Sequence, residues 1–326
     1  MVVVTQVAVI GAGQWGRNLV RTYAKLGVLA VVADVDETAR ALLSQEHSEV
    51  SWCTDFRQIL QSDIPAVAIA TPAATHYSLA REALLAHKDV FVEKPLTLSV
   101  SEARRLVEIA RRTGRVLMVG HLLLFQPGIQ RLKQLIDEGR VGVVRSIHQE
   151  RVKLGRVRTV EDVTWSLGVH DLAVQHFLIG TAPERVRVVA QNVLPSGVAD
   201  DAYLHLGYPG GTWSHLHVSW LWPISRRSLT VIGSEGMLVF DEIAQTLTYH
   251  HKGVHPNLEV YDEGEEMVLS SSESALELEC RHFLECVETR RKPIADGKQG
   301  LAVVQVLEAV AEQLRVRRRV RRGGYR

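Results

Sequence analysis

The chain of 326 residues has only three cysteines, Cys53, Cys280 and Cys286. Three scattered thiols supply neither a disulfide framework nor the ligands of a structural zinc site. Cys280 and Cys286 lie six apart on an expected helix, on different faces, and read as reduced core or surface thiols of a reducing compartment. Long apolar runs are missing as well. The best stretch, 116–125, is broken by Gly120 and His121 and falls short of the ~20 residues of a membrane span. The start MVVVTQVAVIGAG lacks a basic leader segment and runs straight into a glycine motif, unlike a signal peptide. There is no internal repeat and no low-complexity linker. Together these absences point to a cytoplasmic protein with no membrane partner.

Net charge is missing too: 38 Lys+Arg stand against 37 Asp+Glu, a formal +1. That balance argues against a dedicated nucleic-acid binder, but it conceals a split. The last twelve residues, 315–326, hold seven arginines and no acid, and without them the count is 31 basic against 37 acidic, a net −6. Apolar residues make up 46% and charged residues 23%, the mix of a globular protein rather than a disordered one. At ~150 residues per domain the length suggests two domains.

Along the first 120 residues, short β-branched runs at 7–10, 28–33, 66–70, 90–92 and 116–119 alternate with amphipathic stretches. Ser99 and Glu102 have capping-box spacing, and Gly114 ends that helix. Uncharged strands alternating with helices predict a parallel sheet covered on both faces. Beyond His121 the texture changes. A helix over 128–138 leads into strands at 143–152, 186–194, 202–208, 213–220, 228–232 and 237–240, punctuated by turn residues, and two helices follow at 274–290 and 300–314. The expected architecture is α/β. An N-terminal Rossmann domain, a doubly wound parallel sheet, covers 1–121. A C-terminal α+β domain with a large, mostly antiparallel open sheet covers 122–326, with 315–326 as a basic tail.

Residues 7–17 read VAVIGAGQWGR, which places Gly11, Gly13 and Gly16 in G-x-G-x-x-G between a strand and a helix. A second strand ends at Asp34, eighteen residues after Gly16, inside a βαβ unit of dinucleotide-binding size. Gly11 allows the tight turn, Gly13 lets a pyrophosphate approach the backbone, and Gly16 lets helix and strand pack closely. The phosphates then meet the orphan N–H groups of the helix N-terminus. A carboxylate at Asp34 accepts the ribose hydroxyls and repels a 2′-phosphate. Only Val35 and Asp36 follow it, so the cofactor is expected to be NAD rather than NADP.

Further on, VFVEKPLTLSVSEARRLVEIA places Glu93-Lys94-Pro95 at a strand end, and ATPAATHYSLAREAL carries Thr71, Pro72 and His76. With the glycine motif and the later ELECRHFLECVETRRKPIADGKQGLAVVQVLEA, these resemble the Gfo/Idh/MocA oxidoreductases over nearly the whole chain. GAGQWGRNLVR, VGHLLLFQPGI, RVKLGRVRTVEDVTWSLGVHD and HVSWLWPISRRSLTVIGSEGM are similar to a subgroup, the nucleotide-sugar 3-dehydrogenases of surface-polysaccharide synthesis. Such enzymes oxidise the C3 hydroxyl of UDP-linked N-acetylglucosamine or its uronic acid, and the 3-keto product goes to an aminotransferase. The resemblance implies that Gln14, Trp15, Thr71, Pro72, His76, Glu93, Lys94 and Trp165 lie on the cofactor side. It implies that His121, Lys94, His170 and Asp171 lie on the substrate side. It also implies homo-oligomers, dimers or tetramers, built through the C-terminal sheet. Many wider-family members have Asp four residues before the catalytic His; here Ser166 precedes His170, as the subgroup's W-S pattern has it.

The residues themselves suit that chemistry. Loss of hydride from a secondary alcohol needs a base on the O–H and a donor that steadies the developing alkoxide. An imidazole titrates near neutrality, so His170 is expected to be the base and Lys94 the orienting group, with the swap left open. Arg151, Lys153, Arg156 and Arg158 fall within eight residues, and an arginine fork grips phosphate, so Arg151, Arg156 and Arg158 are candidates to clamp the diphosphate. His215 and His217 share a strand face near His205, but no further ligand joins them and no metal is expected. The favoured activity is NAD-dependent C3 oxidation of UDP-N-acetylglucosamine, feeding an aminotransferase in lipopolysaccharide, lipid A or surface-polysaccharide synthesis. The uronic acid, or another sugar or polyol, is the alternative substrate. A non-catalytic NAD-binding regulator would not need both Lys94 and His170. Nucleic-acid binding through the arginine tail would show steep salt dependence.

Overall fold

The structure, a computed structural model, describes residues 5–47, 50–194 and 198–323. By its internal contacts the chain divides into two compact units, Met1–Leu122 with Ser274–Val304, and Leu123–Glu273 with Gln305–Arg326.

The first unit runs β1 (Val7–Ile10), α1 (Gly16–Lys25), β2 (Leu29–Ala33), α2 (Glu37–Glu46), β3 (Ser51–Cys53), α3 (Arg57–Gln61), β4 (Ala66–Ile69), α4 (Ala73–Leu85), β5 (Asp89–Glu93), α5 (Val100–Thr113) and β6 (Leu117–Gly120). Its six strands pair in the order β3-β2-β1-β4-β5-β6, all parallel. Every residue of β1, β4, β5 and β6 is buried, which is why these strands read as uncharged runs. The strand order reverses between β1 and β4, so ligands of such a sheet belong at the carboxyl ends of those strands. The Ser99 hydroxyl caps α5 by accepting from Glu102 N (3.3 Å), and Gly114 ends it at φ +65°.

The second unit contains α6 (Pro127–Asp137), β7 (Val144–Leu154), α7 (Val169–Ile179), β8 (Arg185–Gln191), β9 (Asp201–Gly207), β10 (Trp213–Ser219), β11 (Leu221–Gly233), β12 (Met237–Asp241), β13 (Thr246–Val254) and β14 (Val260–Ser270). Its eight-stranded sheet has the order β14-β13-β12-β11-β7-β10-β9-β8. Every pairing is antiparallel except β7 with β10. Helix α6 lies so close to β12 that a Cβ at Gly128 would stand 2.1 Å from the Phe240 ring.

Two helices close the chain, α8 (Ala275–Thr289) and α9 (Gly297–Gly323). Residues 274–304 group with the first unit, so α8 covers the parallel sheet. The Arg290 guanidinium that follows α8 donates to Asp89 at 2.7 and 3.0 Å, and Phe283 meets Phe91 edge-on at 5.8 Å. Cys280 and Cys286 are both buried on this helix. Of the basic segment 315–326, the side chains beyond Arg315 lie outside the described residues. Among the described residues no helix is long and apolar enough to cross a membrane.

Candidate active site

In the first unit the three motif glycines are held apart by sterics in the way their sequence roles require. Gly11 sits at φ +96°, and a Cβ there would stand 2.8 Å from Thr71 Cγ2 and 2.9 Å from the Ala70 carbonyl carbon. A Cβ on Gly16 would stand 2.1 Å from Gly11 O, so α1 and β1 can meet only through glycine. Gly13 is the opposite case: a Cβ there would meet nothing within 4 Å. Open backbone at Gly13 therefore faces the start of α1. That helix has no acid in its first turn and no side-chain cap at Trp15, so its positive end carries no counter-charge of its own against an anion.

Asp34 follows β2 directly. Its Oδ2 accepts from Ala12 N at 2.5 Å and its Oδ1 from Asp36 N at 2.8 Å, so one carboxylate is tied to the glycine turn. An exposed cradle, a helix N-terminus and a carboxylate at the next strand end fit the pyrophosphate and ribose diol of NAD. The fit rests on this chain's own backbone and side chains.

Thr71 and Pro72 form the loop after β4, with Pro72 at the N-cap of α4. The Thr75 hydroxyl donates within this loop, lying 2.7 Å from both Thr71 Oγ1 and Pro72 O. His76 is 1% exposed; its Nδ1 lies 2.8 Å from Pro95 O and its Nε2 2.9 Å from Thr71 O. The ring thus bridges the Thr71 loop and the Lys94–Pro95 turn rather than presenting itself to solvent. Burial pulls its pKa below the usual imidazole value, against the two carbonyls that favour the charged form.

Glu93 ends β5 and is buried. Its Oε1 accepts from the Trp15 indole N–H and its Oε2 from Lys94 N at 3.2 Å. One carboxyl group thereby joins the start of α1 to the strand end that carries Lys94. Burial pushes Glu93 up to about 7, against Trp15 and Lys94. The space behind it is tight, because a Cβ on Gly120 would stand 3.0 Å from the carboxyl atoms. Lys94 itself is half-buried, its bond to Pro95 is cis, and His121 follows β6 with 1% exposure.

In the second unit, Thr164–Gly168 form a π-helical turn that runs directly into α7. Asp162 Oδ1 accepts from Thr164 N (2.9 Å), Thr164 Oγ1 (2.6 Å) and Trp165 N (3.2 Å), fixing the start of that turn. A π turn inserts one extra residue into the helical register, so the side chains that follow are re-aimed. Trp165 is half-buried, Ser166 is buried, and His170 is half-buried as the second residue of α7.

Asp171 has no solvent exposure. Gln149 Nε2 donates to its Oδ1 at 2.7 Å, and Arg151 Nε donates to Oδ1 and Oδ2 at 2.9 and 3.0 Å. The remaining donors of Arg151 go to Glu242, Nη1 at 2.9 Å and Nη2 at 2.5 Å, and Arg227 Nη1 adds a contact to Glu242 at 3.4 Å. Burial pushes Asp171 up to about 7 against the pull of Arg151. Burial would raise Glu242 as well, but Arg151 and Arg227 outweigh it and hold that carboxyl below its ordinary value. This corrects the sequence expectation for Arg151: at 7% exposure, with Nε, Nη1 and Nη2 all donating to carboxylates, it is a buried structural cation rather than a diphosphate clamp. Asp171 is corrected with it, since it has no solvent exposure and its two oxygens accept from Gln149 and Arg151. Arg156 and Arg158 are exposed, and Arg158 also pairs with Glu161.

The histidines singled out on the open sheet have protein partners. His205 Nδ1 lies 2.8 Å from His215 Nδ1, and His217 Nε2 lies 3.1 Å from Asp201 Oδ2. Among the described residues no group of three His, Cys, Asp or Glu is placed to hold a metal ion.

Three further acids were not singled out in the sequence. Glu242, half-buried, carries no local signal, because its partners Arg151 and Arg227 lie on other strands. Asp162, also half-buried, had one: it stands two residues before Thr164, whose N–H and hydroxyl it accepts from. Glu279 is fully buried and had one as well: it occupies a position in register with Phe283, Cys286 and Val287 on the buried face of α8.

Comparison with known proteins gives one consistent result. Residues 5–121 match the family described as "Oxidoreductase family, NAD-binding Rossmann fold", and residues 129–239 match the "GFO/IDH/MocA C-terminal domain". The chain is 30% identical over 311 residues to the UDP-N-acetylglucosamine 3-dehydrogenase of Acidithiobacillus ferrooxidans, covering 94% of this chain and 95% of that one. A solved structure of that dehydrogenase superposes with a TM-score of 0.83 at 29% identity, covering 95% and 96% of the two chains. An Agrobacterium radiobacter oxidoreductase, solved with NAD+, L-tartaric acid and magnesium, shares the fold at 19% identity, with a TM-score of 0.80 and coverage of 94% and 95%.

Proposed function

This chain belongs to the Gfo/Idh/MocA oxidoreductase family, and on that premise we propose that it oxidises the C3 hydroxyl of UDP-N-acetylglucosamine to the 3-keto sugar nucleotide. The observation that carries this reading is the match, end to end, to a dehydrogenase of that name. The first unit is the NAD-binding Rossmann domain, with Gly11, Gly13, Gly16 and Asp34 in the cofactor roles described above.

When bound, NAD accepts the hydride that leaves C3. The chain's own residues handle the rest. His170 takes the hydroxyl proton, which an imidazole does readily near neutrality. Lys94 holds the oxygen by hydrogen bonding while negative charge develops on it. Glu93 keeps the Lys94 backbone in place through its bond to Lys94 N. Arg156 and Arg158, both exposed, are the proposed ligands for the diphosphate. Gln14, Trp15, Thr71, Pro72 and Trp165 are assigned to the cofactor side and His121 to the sugar side.

The product, a 3-keto sugar nucleotide, suits an aminotransferase of surface-polysaccharide or lipid A synthesis, in the cytoplasm. The open sheet supports assembly into a homo-oligomer: Tyr203 (41% exposed) stands in register with Val189 (51% exposed) on one side and stacks on His217 on the other.

The test is to mix the protein with NAD and a panel of UDP-HexNAc sugars and their uronic acids, with an amine donor and aminotransferase to draw off the ketone. NADH formation with UDP-N-acetylglucosamine supports the reading. Reduction of NAD by free sugars or polyols alone rejects it.

A further inference from the structure

Helix α8 runs antiparallel to β5. Arg290 pairs with Asp89, and Phe283 packs on Phe91, so moving back along the helix follows moving on along the strand. One helical turn back from Phe283 is about 6 Å and reaches Glu279 on the same helix face; two residues on from Phe91 is about 6.6 Å and reaches Glu93 on the same strand face. The two carboxyl groups are thereby brought to one place inside the first unit. Glu279 has no solvent exposure, and neither of its oxygens has a hydrogen-bond partner. Glu93 has two N–H donors, from Trp15 and Lys94.

Two buried carboxylates side by side, one of them without a donor, cannot both be charged. We propose that Glu279 is a positioning residue of this enzyme: it carries a proton through the neutral range, so that whatever negative charge the pair holds sits on Glu93, which braces Trp15 and the Lys94 turn. An ionised Glu279 would add a second buried negative charge to that turn and compete for Lys94. The other titratable groups facing the pair are Tyr23 from α1, Cys280 from α8 and Lys94. Burial pushes Tyr23 and Cys280 well above their ordinary values, so both stay neutral. Burial also pushes Glu279 well above the usual carboxylate range, with Glu93 adding to the shift.

The bearing on Lys94 rests on the role proposed for it above, but the proton count does not. Loss of turnover in Lys94→Ala tests that role separately. The proton is tested on the full chain by urea unfolding against pH, for wild type and Glu279→Gln. A group protonated when folded and ionised when unfolded makes the folding equilibrium constant fall tenfold per pH unit. The ratio of wild type to Glu279→Gln should therefore fall about tenfold for each unit between pH 5.5 and 8.5.

Infrared spectroscopy supplies the direct readout. At pH 8.5, above the values of Glu93 and Asp171, wild type should keep a protonated-carboxyl C=O band that Glu279→Gln removes. Glu279→Leu, which brings no polar atom to the apolar site, replaces Glu279→Gln in both measurements if the glutamine variant does not fold. Parallel stability curves, or a wild type without that band, overturn the proposal.

Discussion

Arg151 and Asp171 are joined through Arg151 Nε at 2.9 and 3.0 Å, in a place where neither side chain meets appreciable solvent. Asp171 follows His170 in the first turn of α7, whereas Arg151 lies on β7 of the sheet beneath. The pair therefore fastens the segment carrying the proposed base to a rigid strand. With Glu242 and Arg227 the cluster balances two cations against two carboxylates, which is the condition for burying any of them.

Removing one member breaks that balance. Arg151→Met should cost ~3–5 kcal/mol of stability, because Asp171 and Glu242 are left buried without their cation. Arg156→Ala, at an exposed position, should change stability by about 0.5 kcal/mol or less while raising KM for the UDP-sugar several-fold. Urea unfolding and steady-state kinetics on the two variants separate the structural arginine from the ligand arginine.

The motif glycines should fail in different ways. Gly16→Ala places a Cβ against Gly11 O and should destabilise the first unit by ~1–3 kcal/mol, with NAD binding lost through displacement of α1. Gly13→Ala meets no protein atom and should fold with nearly wild-type stability, yet bind NAD more weakly because the methyl occupies the phosphate's approach. Thermal unfolding without cofactor, followed by NAD titration, distinguishes them. Equal losses of stability would contradict the assignment.

Asp34 is expected to set the cofactor. Asp34→Ala should weaken NAD about tenfold, the worth of a charged hydrogen bond to the ribose, and should bring NADP affinity closer to that for NAD. Calorimetric titration with both nucleotides checks it.

His76 should contribute to acid lability. Its folded pKa is depressed by burial, so its contribution to stability is fully present above the unfolded value of ~6.5 and is lost as pH falls below it. His76→Gln should lower stability at pH 7.5 by removing the hydrogen bond that the neutral ring's single N–H donates to one of the two facing carbonyls, Thr71 O or Pro95 O. Its stability should also fall less steeply than that of wild type between pH 6.5 and 5.

Much of the first unit was legible because its signals are local. Buried parallel strands read as apolar runs, Ser99 and Gly114 mark a helix's ends, and three glycines with Asp34 define a turn whose sterics depend on near neighbours. The second unit was legible only where strands alternate. β13 and β14 were not recognised: β14 reads VYDEGEEMVLS, a largely exposed edge strand whose acids mask its pairing with β13. The role of Arg151 was illegible for the same reason in reverse. In sequence it stands among Lys153, Arg156 and Arg158 like a solvated basic cluster. What removes it from that cluster is its buried place within β7 together with acids 20 and 91 residues away. Long-range pairing of buried charge leaves no periodic trace.

The central claim is hydride transfer from C3 of a UDP-linked N-acetylhexosamine to NAD, and the most direct measurement follows that hydrogen. UDP-N-acetylglucosamine carrying deuterium at C3 is incubated with the enzyme and NAD, and the reduced nucleotide is weighed by mass spectrometry. The prediction is NADH one mass unit heavier, and unlabelled NADH when the deuterium is placed at C4 instead. Unlabelled NADH from the C3-labelled sugar, or no reduction of NAD by any UDP-HexNAc, would contradict the account.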